Sequence, residues 1–326
     1  MGAARLTPVG SFWHRRPMLT LLTVSGLVMI VATSAYLAHT LAFDAPDGFW
    51  RQKGELVAVE EEPSEGDSLY QAYRVTLTSS AGYNVRGHLR VPRQQGRWPS
   101  LVVMGGVETG RSAAELITPA EPYVVLGLDY PWDGPTHLSS LQFLVRVLEI
   151  RRAMLLTPSA VLLAVDYLQS RPEVDSSRVV LAGASFGAPL MTVAGALDKR
   201  ARTVLIAYGG GDYAALAKAN LTIKPRWLRA PVARVGAWLL DPIEPLHYAD
   251  QVSPRRLILI NGLDDAKVPR HCVEVLYEAA GEPKRLIWLE AGHISPTNPE
   301  LIEQVLRAAS RALSLPELAD GPPGVE

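Results

Sequence analysis

The stretch LAGASFGAPL, residues 181–190, decides the fold, because it places Ser185 between two glycines directly after an apolar run. Gly183 and Gly187 complete the pattern G-x-S-x-G around this serine. Small neighbours allow a strained strand-to-helix turn that presents a serine hydroxyl as a nucleophile. Such short matches also arise by chance, so an ordinary glycine-rich turn is the alternative. A base, an acid and anion-stabilising amides elsewhere in the chain distinguish the two interpretations.

The composition limits the possible classes of protein. The chain has 326 residues, 48% of them hydrophobic, with a formal net charge of -1 and a single cysteine, Cys272. This length allows one large domain or two smaller ones. The near-neutral charge gives no reason to expect a nucleic acid partner. One cysteine excludes an intrachain disulfide, and without a His/Cys cluster or a phosphate-binding glycine motif we expect no metal and no cofactor. The oligomeric state stays open.

An uncharged, mostly apolar run covers residues 17–43 and follows Arg5, Arg15 and Arg16. Because a spanning helix needs roughly 20 apolar residues, the run predicts a membrane anchor, and the preceding arginines predict a cytoplasmic N-terminus. A cleaved signal peptide with a small-residue site at 33–35 is the alternative. Both interpretations place the residues after 43 outside the cytoplasm, either tethered to the inner membrane or secreted.

The remaining sequence predicts a linker over residues 44–54, one α/β domain over 55–314 and a disordered tail over 315–326. The domain begins with three strand-like stretches that include a hairpin signal, which predicts antiparallel strands. After residue 99, short apolar strands alternate with helical segments, the signature of a parallel sheet flanked by helices. The alternation is interrupted at residues 209–254, which form either a cap over the site or an amphipathic packing segment.

Four polar residues follow predicted strands of the parallel sheet: Ser185, Asp264, Asp265 and His293. The carboxyl ends of parallel strands share one edge of the sheet, where loops form a crevice. A neutral serine is a weak nucleophile until a histidine removes its proton, and a carboxylate holds that histidine in the required tautomer. The spacing therefore predicts a Ser–His–Asp site at this edge.

From about residue 71 to residue 313 the chain resembles an α/β-hydrolase-fold serine hydrolase. The nearest branch is that of dienelactone hydrolases, acetyl xylan esterases and prolyl oligopeptidases. The chain order Ser, Asp, His is the α/β-hydrolase order. The stretches that carry the resemblance are DYLQSRPEVDSSRVVLAGASFG (166–187), DPIEPLHYADQVSPRRLILINGLDDAKVP (241–269) and EAGH (290–293).

The resemblance implies an enzyme that cleaves small-molecule carboxylic esters through an acyl-enzyme, with small or medium acyl chains. A peptidase or a carbon–carbon hydrolase on the same triad is one alternative. A catalytically silent binding protein is another. Family members usually show G-x-x-D-x-x-V-P, and Gly262, Asp265, Val268 and Pro269 fit that spacing. Asp265 is therefore predicted to be the acid, with Asp264 a turn residue.

The oxyanion of an acyl-transfer reaction needs two preorganised N–H donors. The backbone of Phe186, directly after the nucleophile, is predicted to supply one. The resemblance places the other at Gly106, with Val107 as the alternative. The family often has His-Gly-x at this loop, whereas this chain has Met104 before its two glycines.

Three further residues are candidates for substrate binding. Glu108 resembles a carboxylate in a subgroup of these hydrolases, and an exposed residue at a helix N-terminus is the alternative. Trp227 and Trp238, within the interrupting segment, are candidates for apolar walls of a pocket.

Overall fold

The computed structural model describes residues 47–119, 121–135 and 137–314, the backbone of 324 and 325, and isolated positions between 29 and 43. The chain divides after Asp44, and the fold below belongs to the unit Ala45–Glu326. Most of the predicted membrane segment 17–43 lies outside the described residues. Among the residues that are described, no helix has the length and apolarity needed to cross a membrane.

Ten strands in the described part of the chain form one sheet, in the order β1-β2-β3-β5-β4-β6-β7-β8-β9-β10. The first three strands are antiparallel, β3 runs antiparallel to β5, and the remaining pairs are parallel. The predicted fold class, a mostly parallel sheet with antiparallel N-terminal strands, is confirmed. The strands are β1 (Leu56–Ser64), β2 (Tyr70–Ser79), β3 (Tyr83–Pro92), β4 (Trp98–Met104), β5 (Val124–Leu128), β6 (Val174–Ala184), β7 (Ala201–Ala207), β8 (Arg256–Gly262), β9 (Lys284–Leu289) and β10 (Gly324–Val325).

Helices cover both faces of the sheet, which is why its central strands are nearly continuous apolar runs. On one face, α3 and α4 pack against β4 and β6. On the other face, α2 and α8 contribute to the hydrophobic core with β4 to β9. The described helices are α1 (Asp47–Lys53), α2 (Ala113–Leu116), α3 (Ser140–Gln169), α4 (Gly187–Leu197), α5 (Tyr213–Asn220), α6 (Arg229–Leu240), α7 (Arg270–Ala279) and α8 (Pro299–Ser314).

The predicted linker 44–54 is wrong over most of its length, because residues 47–53 form α1 and pack on the domain. Phe49 is fully buried, and its ring meets the ring of Tyr248 edge-on at 6.4 Å. The carbonyl oxygen of Phe49 accepts a hydrogen bond from the Ser159 hydroxyl at 2.8 Å. The Phe49 side chain thus anchors this segment on the domain.

The predicted disordered tail 315–326 is also wrong at two positions. Gly324 and Val325 pair in parallel with Ile287 and Trp288 of β9. The rest of that tail lies outside the described residues.

The interrupting segment 209–254 folds into α5, α6 and short 3-10 helices. The Glu244 carboxylate holds the start of α5, accepting hydrogen bonds from the amides of Asp212 at 3.0 Å and Tyr213 at 2.8 Å. Helix α6 packs against α3, where Arg151 donates to the carbonyl oxygen of Leu239 at 2.7 Å. The Glu244 contacts therefore hold the segment together, and the Arg151 contact fastens α6 to the domain.

Candidate active site

Ser185 lies at a sharp turn between β6 and α4. Its φ of 53° is in the left-handed region, which non-glycine residues rarely adopt. The turn is held because the Ser185 amide donates to the carbonyl oxygen of Ala207 on the neighbouring strand at 2.9 Å. Backbone strain of this kind is concentrated at functional sites.

The two glycines of G-x-S-x-G are required by close backbone approach. A Cβ atom on Gly183 would lie 2.6 Å from the carbonyl oxygen of Gly187. A Cβ atom on Gly187 would lie 2.6 Å from the carbonyl oxygen of Met104 at the end of β4. The turn therefore brings the serine directly beside the loop that follows β4.

A continuous chain of hydrogen bonds joins the three predicted catalytic residues. Ser185 Oγ lies 2.8 Å from His293 Nε2, and His293 Nδ1 lies 2.8 Å from Asp265 Oδ2. The His293 side chain is 11% exposed and the Asp265 side chain 1% exposed. In this geometry the imidazole can take the serine proton while the carboxylate faces the opposite ring nitrogen.

The loop after β8 distinguishes the two adjacent aspartates. Asp265 is buried, and its second carboxylate oxygen accepts hydrogen bonds from the amides of Lys267 at 2.8 Å and Val268 at 3.0 Å. Asp264 is exposed, and its amide donates to the carbonyl oxygen of Ala291 at 3.1 Å. The structure thus brings Asp265 to the histidine and leaves Asp264 in the turn.

The predicted oxyanion donors border the same space as the serine. A cavity of about 720 Å³ is lined by Ser185, His293, Gly106, Val107 and Phe186, among other residues. A Cβ atom on Gly106 would meet no other atom within 4 Å, so its backbone adjoins open space. Phe186 begins the turn into α4, where backbone amides are free of partners within the helix.

Tyr130, which is not among the residues predicted from the sequence, contacts both the loop after β4 and the turn after Ser185. Its hydroxyl donates to the carbonyl oxygen of Gly105 at 2.5 Å, and its ring meets the Phe186 ring edge-on at 5.3 Å. Burial raises the pKa of the Tyr130 hydroxyl, which keeps it a donor. Its place two residues after the end of β5, at the same edge of the sheet as the serine, was the available signal.

Tyr208 is a second residue that the sequence reasoning did not select. It is fully buried at the end of β7 with a positive φ of 56°, and its ring meets the His293 ring edge-on at 5.6 Å. Burial, together with a smaller effect of the Asp265 charge, raises the pKa of Tyr208 to about 12. Its hydroxyl has no hydrogen-bond partner among the described residues. Tyr208 thus packs edge-on against the His293 imidazole.

The predicted substrate-binding residues separate into two groups. Glu108 lines the cavity, with an exposed side chain whose carboxylate lies 3.7 Å from His137 Nε2. Trp227 and Trp238 are 73% and 50% exposed, and neither lines the cavity. No residue of 209–254 lines this cavity.

Two family models match the chain. The model of the prolyl oligopeptidase family matches residues 157–304, and the acetyl xylan esterase (AXE1) model matches residues 49–213, just over half of the chain. This chain belongs to the acetyl xylan esterase family. The family match begins within α1, which agrees with the finding that this helix is part of the domain.

Solved structures of acetyl xylan esterases share the fold of this family member. Acetyl xylan esterase 1 of a Thermoanaerobacterium species is 20% identical with a TM-score of 0.59, over 80% of this chain and 92% of that chain. The enzyme of a Paenibacillus species is 18% identical with a TM-score of 0.61 and the same coverage. At such identities the likeness shows the α/β-hydrolase fold.

Two curated proteins, from two strains of Escherichia coli, are similar in sequence. The uncharacterized protein YfhR of Escherichia coli is 31% identical over 131 residues. That match spans 40% of this chain and 42% of YfhR.

Proposed function

We propose that this member of the acetyl xylan esterase family is a serine hydrolase that cleaves carboxylic esters through an acyl-enzyme. The observation that carries the proposal is the continuous hydrogen-bond chain from Ser185 through His293 to Asp265. Ser185 and His293 line a cavity that is large enough for a small-molecule substrate.

The geometry supports a two-stage acyl transfer. Ser185 Oγ attacks the ester carbonyl carbon while His293 Nε2 takes the hydroxyl proton, and Asp265 stabilises the resulting imidazolium. The tetrahedral intermediate expels the alcohol, which takes that proton from His293. Water then repeats the sequence on the acyl-serine, giving its proton to His293, and the carboxylic acid leaves as the Ser185 hydroxyl is restored.

The oxyanion formed in both stages needs donors that are fixed before the reaction. The amides of Phe186 and Gly106 are the proposed donors, because both residues line the cavity beside Ser185. Removing one such donor in other enzymes costs about 3 kcal/mol of transition-state stabilisation. Tyr130 supports both, since it bonds the Gly105 carbonyl and packs on the Phe186 ring.

A serine-directed fluorophosphonate tests the proposal. The wild-type protein is expected to be labelled and to hydrolyse p-nitrophenyl butanoate, whereas Ser185→Ala loses both activities. Ser177→Ala is the matched control, because Ser177 lies on the same strand and bonds only locally to Asp175. Labelling that persists in Ser185→Ala, or a wild type that is neither labelled nor active, refutes the proposal.

Peptide hydrolysis is a second candidate, favoured by the match of residues 157–304 to the prolyl oligopeptidase family. The same serine, histidine and acid would cleave an amide. Parallel assays with p-nitrophenyl butanoate and the p-nitroanilide of the same acid decide between the two. A larger kcat/KM for the anilide supports the peptidase and contradicts the esterase.

We propose further that the domain acts outside the cytoplasm, carried there by residues 17–43. The support is the length of this uncharged run and the arginines that precede it. Alkaline phosphatase fused after residue 45, ahead of α1, is expected to be active in a bacterial host. An inactive but stably expressed fusion contradicts export, and a mature protein that begins near residue 36 shows a cleaved signal in place of an anchor.

A further inference from the structure

The cavity at Ser185 does not stop at the catalytic edge of the sheet. Its lining continues along the strands, from Ala184 beside the serine to Arg178 near the start of β6. Helix α8 forms the facing wall, and α2 with the segment after it forms one side. The cavity is therefore a channel between the sheet and α8, parallel to the strands.

The channel becomes wider toward the serine, because the side chains of its sheet wall become smaller in that direction. Side chains that share one face of a strand alternate along the sequence, and on two neighbouring strands they decrease in size in the same direction. They are Leu101 and Val103 on β4 with Gly105 directly after it, and Val180, Ala182 and Ala184 on β6. Space is thus greatest where an acyl group bonded to Ser185 would begin.

The α8 wall is apolar and incompletely covered by protein. One stripe of this helix, which includes Leu301 and Ala308, is buried in the core. A second stripe lines the channel and is only half-buried; it includes Ile302 and Leu306. A helix with one packed stripe needs no second apolar stripe for the fold itself. The second stripe is therefore available to an apolar ligand.

Polar groups limit the length of the channel. Arg256 lies at the far end, where its guanidinium donates to the carbonyl oxygens of Ala312 at 3.3 Å and Leu313 at 3.2 Å. The apolar wall of β6 from Val180 to Ala184 spans four residue steps, or about 13 Å at about 3.3 Å per residue. An extended alkyl chain with bonds of about 1.5 Å advances about 1.3 Å per carbon, so roughly ten carbons fill that length.

We infer that this channel is the acyl-binding site and that the substrates are esters of straight medium-chain acids, of about eight to twelve carbons. The inference rests on the proposed ester hydrolysis and names its substrate class. An acetyl group would occupy only the mouth of a cavity of about 720 Å³ and leave the half-buried stripe of α8 exposed to water.

A chain-length series on the full protein tests the inference. For p-nitrophenyl esters at monomeric concentrations, kcat/KM is expected to rise from acetyl to decanoyl, by at most about 4-fold per methylene buried. We expect the decanoyl ester to exceed the acetyl ester by at least about 100-fold, since ordering of the chain offsets part of that gain. The increase should cease beyond about twelve carbons, where the apolar wall ends.

Two substitutions at different depths make the test specific to the channel. Ala182→Leu, near the serine, is expected to reduce kcat/KM for every ester longer than butanoyl. Val180 lies two residues farther from the serine, and Val180→Phe is expected to reduce kcat/KM only for octanoyl and longer esters. Leu181→Phe is the control, because Leu181 is on the opposite face of the same strand and lines no part of the channel. Its chain-length profile should match wild type, and thermal melts confirm that each variant is folded.

Calorimetric titration of Ser185→Ala with decanoate separates the inference from the proposed function. Binding of decanoate that Val180→Phe weakens at least 10-fold supports the channel even if no ester is hydrolysed, in which case only the proposed function fails. If wild type prefers acetyl and butanoyl esters and decanoate does not bind, the inference is overturned while ester hydrolysis stands. Equal effects of Val180→Phe and Leu181→Phe on the profile also overturn it.

Discussion

Gly187→Ala tests whether the turn at Ser185 positions the oxyanion loop. The added Cβ would lie 2.6 Å from the Met104 carbonyl oxygen and 3.0 Å from that of Gly105. Ordinary contact distances begin near 3.5 Å, so the loop has to move by roughly 0.9 Å. A displacement of about 1 Å at a catalytic group costs about 100-fold in rate, which corresponds to about 2.7 kcal/mol. We therefore expect kcat for p-nitrophenyl butanoate to fall about 100-fold, with KM changing much less.

Gly195→Ala provides the matched control for this experiment. Gly195 lies in the same helix, and a Cβ there would meet the Val204 side chain on the sheet instead of the oxyanion loop. This variant should lose thermal stability and keep its kcat. Steady-state kinetics and circular dichroism melts measure the two effects separately. A folded Gly187→Ala protein with wild-type kcat refutes the reasoning, and so does an equal loss of kcat in Gly195→Ala.

Three further predictions concern other parts of the structure. Asp265→Asn should lower kcat about 10⁴-fold, because the histidine loses its fixed tautomer. Asp264→Asn should lower kcat far less. If steady-state kinetics show the larger loss in Asp264→Asn, the assignment of the acid is wrong. Phe49→Ala should cost about 3–5 kcal/mol in urea unfolding, and a loss below about 0.5 kcal/mol would mean that α1 is a loose tether. The raised pKa of Tyr208, about 12, predicts stability that is complete below its ordinary pKa of about 10 and declines as pH rises through 12. In thermal melts at alkaline pH, Tyr208→Phe should lose less stability than wild type as the pH rises. An equal loss in the two proteins would contradict this prediction.

The sequence was most informative where local pattern and chemistry coincide. Apolar runs predicted the parallel strands, since strands covered on both faces carry little polar sequence. Ser185, Asp265 and His293 each follow such a run, so the topology of the sheet brings them to one edge. The spacing from Gly262 to Pro269 separated Asp265 from its neighbour because the turn fixes which carboxylate is buried.

The features that the sequence did not reveal depend on contacts between distant segments. Phe49 has a partner in Tyr248, about two hundred residues away in sequence, so a window around residue 49 gives no sign of that contact. The apolar pattern around Trp227 and Trp238 predicts a helix but not the surface that it faces. Tyr130 supports the site through the Gly105 carbonyl, a contact set by the pairing of β4 with β5.

The short pairing of Gly324 and Val325 with β9 has a consequence for the behaviour of the protein at high concentration. An unpaired edge strand is a template for association with another chain. At the opposite edge, β1 is exposed and carries Glu60, Glu61, Glu62 and Pro63, a combination of like charge and a residue without an amide proton that discourages such pairing. Strand β9 is instead apolar, with Leu286 to Leu289 buried. On that side, β10 is thus the element that blocks strand addition by another molecule. A chain shortened before Gly324 would leave β9 as an unpaired apolar edge strand, and we expect it to aggregate at high concentration.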